Sequence, residues 1–331
     1  MKILICTGIY PPQVGGPAQY AKQIEDEFRG AGNSVKILTY NLERKLPTLI
    51  RHKLFFLRTL FSLWGVDLVV ALDTFSVGWP AVCAANILRK KIIIRTGGDF
   101  LWESYVERTG DLVLFKDFYK TSLKKLNLKE RIIFLVTRFT LENASAVVFS
   151  TKWQRDIFDD AYGLKKQKKL IIENEYKSVV GNFEAKSKTY LWAGRNIKLK
   201  NVEALKRAFA EAQKKDSSLN LSLLTDIPKN DLLEKMKECY VVILPSITDI
   251  SPNFVLDAIS FGKPCIVTKE NGIGDRIKDI SLFIDPLNEE DIKNKILFLA
   301  DDEHYQEYKQ KVANFSFTHT VSDIAKEFLN I

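Results

Sequence analysis

Short apolar runs alternate with longer stretches of helical periodicity along this chain, the pattern left by parallel strands wound by helices. In the first half the runs predict strands near Lys2–Cys6, Val35–Tyr40, Asp67–Leu72, Lys91–Arg95, Ala146–Ser150 and Leu170–Glu173. In the second half they predict strands near Thr189–Ala193, Leu219–Leu224, Val241–Leu244, Pro264–Thr268 and Leu282–Ile284. Amphipathic segments between them predict helices such as Gln19–Gly30, Val202–Lys214, Asp231–Glu238, Asn253–Phe261 and Glu289–Asp301. The pattern breaks around Tyr176–Lys188, where Gly181, polar residues, Lys186 and Lys188 interrupt it. The expected organisation is α/β, with one domain over residues 1–176 and a second over 177–317.

At 331 residues the chain is long enough for two separate cores. No apolar run approaches the ~20 residues of a spanning helix, and Met1-Lys2-Ile3-Leu4-Ile5-Cys6 reads as a first strand instead of a leader. A cytoplasmic protein is expected. Cys6, Cys83, Cys239 and Cys265 sit in apolar settings without CxxC spacing, which points to buried thiols. His52, His304 and His319 add no ligand cluster, so no metal site is expected.

Charge changes this picture in the first half only. The net +8 lies wholly in residues 1–165. There Arg44, Lys45, Arg51, Lys53 and Arg58 interleave with Leu54, Phe55, Phe56, Leu57, Leu60, Phe61 and Trp64. That composition suits a helix on an anionic bilayer, at the inner face of the cell membrane, or equally a core-facing helix with a solvated basic side. Lys116 through Arg131 is a second basic and aromatic stretch. No nucleic-acid-binding motif accompanies either one.

Candidate chemistry is densest at Asp249-Ile250-Ser251-Pro252-Asn253-Phe254-Val255-Leu256-Asp257, which follows the strand ending in Leu244-Pro245-Ser246. Ser251 and Pro252 read as N-cap and first helical residue, so the amides near Asn253, Phe254 and Val255 open a helix whose positive end favours phosphate. Asp249 before that point and Asp257 within the helix are placed to hold hydroxyls on either side of a diphosphate. Upstream, Gly194-Arg195 and Lys200 fall between a strand and a helix. There they are either solvated loop charges or two cations that neutralise a leaving diphosphate.

These words resemble the retaining glycosyltransferases of family 4, also called group 1, with the GT-B fold of two facing Rossmann-like parallel-sheet domains. The resemblance rests on Pro11-Pro12-Gln13-Val14-Gly15-Gly16, on Gly194-Arg195 with Lys200, on Leu244-Pro245-Ser246 leading into Asp249-x7-Asp257, and on Gly262-Lys263-Pro264. They occur in the family's order and span roughly residues 1 to 300. The resemblance implies transfer of a sugar from a UDP- or GDP-linked donor to an acceptor hydroxyl of a glycan or lipid-linked glycan, with retention and by front-face attack. It implies no metal and no further cofactor, an Asp249 contact with the donor sugar, and an Asp257 contact with the ribose. It also implies that the last helix, near 318–331, crosses back onto the first domain.

On the acceptor side, Gly15 and Gly16 let backbone approach a ligand closely, and the loop lacks the GxGxxG spacing of a dinucleotide site. In the family it faces the donor diphosphate and the acceptor. Arg95-Thr96-Gly97-Gly98-Asp99-Phe100-Leu101-Trp102-Glu103 ends another buried strand. Asp99 is the candidate there for contact with the transferred sugar or acceptor hydroxyl. Trp102 is a stacking platform or a core residue, and Glu103 either faces the acceptor or pairs with Arg95 or Arg108.

One departure stands out, because the family's pair is Glu-x7-Glu and this chain has Asp in both places. A site adapted to the shorter side chain is one explanation. A nucleotide-sugar-binding or partner-binding module without catalysis is another, and a peripheral membrane scaffold is a third.

Overall fold

The computed structural model describes residues 1–13, 15–41, 43–177 and 183–331. Val14, Gly181 and the Arg44 side chain, singled out above, lie outside the described residues. The chain divides into two compact units. Unit 1 comprises Met1–Trp102, Tyr119–Asn174 and Thr320–Ile331, and unit 2 comprises Glu103–Phe118 and Glu175–His319.

The first part of the chain runs β1 (Lys2–Thr7), α1 (Gly16–Gly30), β2 (Ser34–Thr39), α2 (Thr48–Ser62), β3 (Leu68–Ala71), α3 (Gly78–Ile87), β4 (Lys91–Thr96), α4 (Phe100–Thr109), α5 (Phe115–Thr121), α6 (Leu128–Glu142), β5 (Ala146–Phe149), α7 (Lys152–Tyr162) and β6 (Lys169–Ile171). Among the described residues its strands form one parallel sheet in the order β2-β1-β3-β4-β5-β6. Helices cover both faces, so the central strands are apolar at nearly every position. Ile3, Ile5, Val70, Ile93 and Val148 meet Ile24 and Phe28 of α1 in one core.

The last helix, α14 (Val321–Leu329), completes that core with Ile324, Ala325 and Phe328. Its Phe328 ring stands edge-on to Phe28 at 6.4 Å. A reciprocal cap starts the helix: the Asp323 amide donates to Thr320 Oγ1 at 3.2 Å, and the Thr320 amide donates to the Asp323 carboxylate at 2.9 Å.

The second part runs β7 (Thr189–Ala193), α8 (Val202–Gln213), β8 (Asn220–Leu224), α9 (Lys229–Glu238), β9 (Val241–Leu244), α10 (Asn253–Ser260), β10 (Cys265–Thr268), α11 (Gly274–Ile277), β11 (Ser281–Ile284), α12 (Glu289–Ala300) and α13 (Asp302–Ala313). Its parallel sheet has the order β11-β10-β9-β7-β8. Alternation along β7 feeds two cores, as the period of a strand requires: Tyr190 and Trp192 pack with Phe209, Ile243 and Ile296, while Leu191 packs with Val242, Val255 and Ile259. Tyr176 and His319 exchange backbone hydrogen bonds, each amide donating to the other's carbonyl at 2.9 Å.

Strand order reverses between β1 and β3 in the first sheet and between β7 and β9 in the second. Loops at the carboxyl ends of such strands line the ligand crevice of open α/β sheets. Residues 103–118, which chain order puts in the first domain, group with unit 2. Their polar contacts explain this. The Phe115 amide donates to Thr248 Oγ1 at 3.2 Å, and Lys116 pairs with Glu270 at 2.6 Å.

Candidate functional site

The loop after β7 begins where that strand's pairing with β8 ends. The Gly194 amide donates to the Leu224 carbonyl at 3.0 Å, and Arg195 extends outward with its side chain 69% exposed. A single 3₁₀ turn at Lys198–Lys200 follows, and Asn201 then takes the left-handed conformation at φ 54°, which asparagine tolerates better than most residues. The Asn201 side-chain amide donates to the carbonyls of Pro245 at 3.2 Å and Pro286 at 2.7 Å. These bonds fix the base from which Lys200 projects.

The loop after β9 is tied to the same base, because the Ile247 amide donates to the Leu199 carbonyl at 2.9 Å. Asp249 is held from behind by its own backbone, its amide donating to the Glu270 carbonyl at 3.0 Å and its carbonyl accepting from Gly272 at 3.3 Å. Lys200 and Asp249 therefore meet across the two loops, Nζ to Oδ2 at 2.8 Å, with side chains 24% and 17% exposed.

The start of α10 differs from the expectation. Pro252, not Ser251, is the N-cap residue, no side chain caps the helix, and Asn253 is its first residue. The Val255 amide donates to the Pro252 carbonyl at 3.0 Å and its side chain is fully buried. Val255 is therefore committed to the helix and the core, which leaves Asn253 and Phe254 as the amides that open α10. Asp257, one turn on, accepts from Lys229 of α9 in a close ion pair. Burial pushes its carboxyl up while Lys229 opposes the shift. Lys263 of the Gly262-Lys263-Pro264 word is buried and donates to the carbonyls of Phe183 at 2.7 Å and Cys239 at 2.9 Å, so that word is architectural.

Glu103 belongs with this group. Its carboxylate lies 3.6 Å from the Arg195 guanidinium, and burial pushes its carboxyl up against the opposing pull of Arg195 and Lys200. The expected pairing with Arg95 or Arg108 is replaced. Arg95 instead lies over the Tyr20 ring at 3.9 Å and donates to Asn174 at 2.6 Å. Further along α4, the Leu199 amide donates to the Glu107 carboxylate at 3.4 Å and Lys198 Nζ donates to the Glu107 carbonyl at 3.0 Å. Arg195, Lys200, Asp249 and Glu103 thus form a charge-balanced quartet in unit 2.

In unit 1, Gly15 is the N-cap of α1 at φ 145°, where a Cβ would stand 3.2 Å from Ile9, and Gly16 is the first helical residue, earlier than the sequence suggests. Asp99 is buried. Its carboxylate caps α4 by accepting the Trp102 amide at 2.8 Å, and it also accepts the Tyr119 hydroxyl, which lies 2.7 Å from that of Tyr162. Trp102 is buried too, so its ring is core and not a stacking surface. Sequence reasoning passed over Asp73, in the loop after β3. It accepts the amides of Phe75, Val77 and Gly78 at 2.9 to 3.0 Å. A Cβ on Gly78 would stand 2.1 Å from the Asp73 carbonyl, and a glycine five residues after an aspartate at a strand end is the only signal the chain offers.

The basic first half presents an exposed apolar surface. On α2 and the two residues after it, His52, Phe55, Thr59 and Leu63 face inward, while Ile50, Leu57, Phe61 and Trp64 form an exposed stripe, the last two 81% and 94% exposed. Arg58 turns back to Glu43 and the Thr39 carbonyl, and Arg51 Nε donates to Leu46. The outer face of α2 is therefore mostly apolar, with exposed Lys53 set among Ile50 and Leu57. Helix α6 repeats the pattern with Leu128, Ile132, Leu135 and Phe139 exposed, beside exposed Lys124, Lys125, Lys129 and Arg131. Helix α3 packs against both α2 and α6, and its own end exposes Ile87 and Leu88. No helix of the described residues is long and apolar enough to cross a membrane.

The family described as Glycosyl transferases group 1 matches residues 206–315, which include Asp249 and Asp257. A search of curated proteins finds no match. Among solved structures, sucrose-phosphate synthase from Thermosynechococcus elongatus is 14% identical with a TM-score of 0.73, over 99% of this chain and 97% of that one. WaaG, a glycosyltransferase involved in lipopolysaccharide biosynthesis, is 14% identical with a TM-score of 0.71, over 99% and 98%. UDP-GlcNAc 2-epimerase from Neisseria meningitidis, bound to UDP-GlcNAc, is 12% identical with a TM-score of 0.61, over 100% and 99%. At these identities the likeness is one of fold.

Proposed function

Starting from a chain of GT-B fold whose residues 206–315 match the group 1 glycosyl transferases, we propose that it moves a sugar from a UDP- or GDP-linked donor to an acceptor hydroxyl, with the anomeric configuration retained. The observation that carries this reading is the convergence of Arg195, Lys200 and Asp249 at the strand-order reversal between β7 and β9. Two cations and the opening amides of α10 stabilise the negative charge that grows on the diphosphate as the sugar–phosphate bond breaks. Asp249, held by Lys200, contacts the donor sugar, and Asp257 accepts from the ribose hydroxyls. The loop carrying Gly15 and Gly16 serves the acceptor side. The buried, fully engaged carboxylate of Asp99 supports a role in holding α4 more than direct contact with sugar.

With fixed cations at the diphosphate, the reading requires no divalent metal, and turnover is expected to survive a chelator. The test is a thermal-shift screen of nucleoside diphosphates, since stabilisation follows occupancy, followed by transfer assays with the sugar donors of the stabilising base. The fold is shared with an epimerase as well as with transferases. Binding of a nucleotide sugar without transfer to any acceptor would therefore leave a binding module as the better reading.

The acceptor side of the proposal is a lipid-linked glycan at an anionic membrane, in cell-surface glycan or glycolipid synthesis. The exposed stripes of α2 and α6 and the lysines and arginines beside α6 support it, because basic groups near an anionic surface contribute about 1 kcal/mol each in addition to apolar insertion.

A further inference from the structure

We propose that Glu103 is an internal counter-ion for the donor site: it holds the Arg195 guanidinium in the nucleotide-free protein and gives it up when a diphosphate binds. This rests on the reading of Arg195 and Lys200 as the diphosphate cations and deepens it. The structure pairs each cation with a carboxylate, Lys200 with Asp249 at 2.8 Å and Arg195 with Glu103 at 3.6 Å. The two pairs are not equivalent. Lys200 and Asp249 are both largely buried and in hydrogen-bond contact, whereas Arg195 is mostly exposed and its bond to Glu103 is long. The Arg195 pair is therefore the weaker and the one an incoming diphosphate opens.

Glu103 stays in place when its partner leaves. Its helix is anchored to the same loop one turn on, where Glu107 accepts the Leu199 amide and the Glu107 carbonyl accepts from Lys198. The groups that face Glu103 are Arg195 and Lys200 from the loop after β7 and Asp249 from the loop after β9, with Glu107 on its own helix. Once a diphosphate neutralises the two cations, the surroundings of Glu103 are burial, the Asp249 carboxylate and the phosphate oxygens, all of which disfavour its anion. Glu103 then takes up a proton from solvent. Nucleotide binding is linked to that uptake and weakens as pH rises through the titration of Glu103.

The experiment is calorimetric titration of the full chain with UDP and with GDP between about pH 5 and 8, in buffers of differing ionisation enthalpy, for wild type and Glu103→Gln. The wild type is expected to take up protons on binding whichever nucleotide it accepts and to bind more weakly toward the alkaline end. Glu103→Gln is expected to bind about two- to five-fold tighter at neutral pH, without proton uptake and with a flattened pH profile, as suits a partly exposed pair. Glu103→Ala, with its melting temperature measured alongside, repeats the test if the glutamine variant folds poorly. Nucleotide binding that is unchanged in affinity and pH profile by either variant overturns the counter-ion role and leaves the transferase reading intact. Failure of both nucleotides to bind the wild type overturns that reading, and this inference with it.

Discussion

Lys200 and Asp249 are 49 positions apart in the chain and 2.8 Å apart in space, one in the loop after β7 and the other in the loop after β9. Neither side chain is free to serve a purely solvating role, since both are largely buried. Lys200→Ala is expected to lower turnover about 100-fold, the scale seen when one group stabilising developing charge is removed. Its cost in folding stability is expected to be about 1–3 kcal/mol, because the largely buried Asp249 carboxylate is left without its cation. Turnover at saturating donor and a denaturant melt on the same preparation check this. A loss of stability with unchanged turnover would make the pair structural.

Asp257 and Asp249 are expected to separate under the same isosteric change. Asp257→Asn turns a charged acceptor into a neutral amide, and nucleoside-diphosphate affinity is expected to fall about tenfold. Asp249→Asn releases Lys200 and is expected to spare diphosphate binding while cutting transfer. Titration calorimetry with the preferred nucleotide, beside a transfer assay, distinguishes the two. Equal loss of binding in both variants would contradict the assignment of ribose to one and sugar to the other.

Lengthening the pair tests whether the site is adapted to aspartate. In the present geometry Asp249 already reaches Lys200, so Asp249→Glu pushes the carboxylate past its partner into the space that the proposed function gives to the donor sugar. Activity is expected to drop by roughly 100-fold, the cost of a misplacement near 1 Å. A gain in transfer would mean that the shorter side chain is a defect.

The exposed stripes give a prediction that leaves the donor site untouched. Trp64→Ser with Phe61→Ser on α2, and separately Leu128→Ser with Leu135→Ser on α6, are each expected to reduce partition onto vesicles rich in anionic lipid by about tenfold or more, since a buried large side chain is worth roughly 1.5–3 kcal/mol. Melting temperature should change little, because these side chains are mostly exposed. Co-sedimentation at low and high salt is the measurement, and wild-type protein that ignores lipid charge would rule out this face as the membrane contact.

Much of the fold was readable because both sheets are parallel and buried, so each strand announces itself as an apolar run between amphipathic segments. Thr189–Ala193 and Val241–Leu244 match the sequence reading to the residue. The start of α10 was misjudged for a local reason: Ser-Pro is a common N-cap pair, yet Pro252 itself holds the extended conformation there. Arg195, Lys200, Asp249 and Asp257 were legible as candidates because residue type and spacing survive in one dimension. Their partners were not. Lys229 sits in an ordinary lysine-rich segment, and Glu103 follows a strand in the other half of the chain; only folding brings them to Asp257 and Arg195. Trp102 and Asp99 were ambiguous for the opposite reason, since a polar or aromatic residue after a strand end looks the same in sequence whether it faces ligand or caps the next helix.

The place of α14 in unit 1 bears on how the chain is made. Ile324, Ala325 and Phe328 fill the core beside Ile24 and Phe28, and Phe328→Ala alone would be expected to cost about 3–5 kcal/mol. A ribosome delivers residues 1–174 long before residues 320–331, with the whole of Glu175–His319 synthesised in between. The unit that begins first can close its core only after residues 320–331 emerge. Until then its α1 face stays open to solvent, so a nascent or C-terminally clipped chain presents the apolar surface that chaperones and proteases recognise, however well unit 2 has folded.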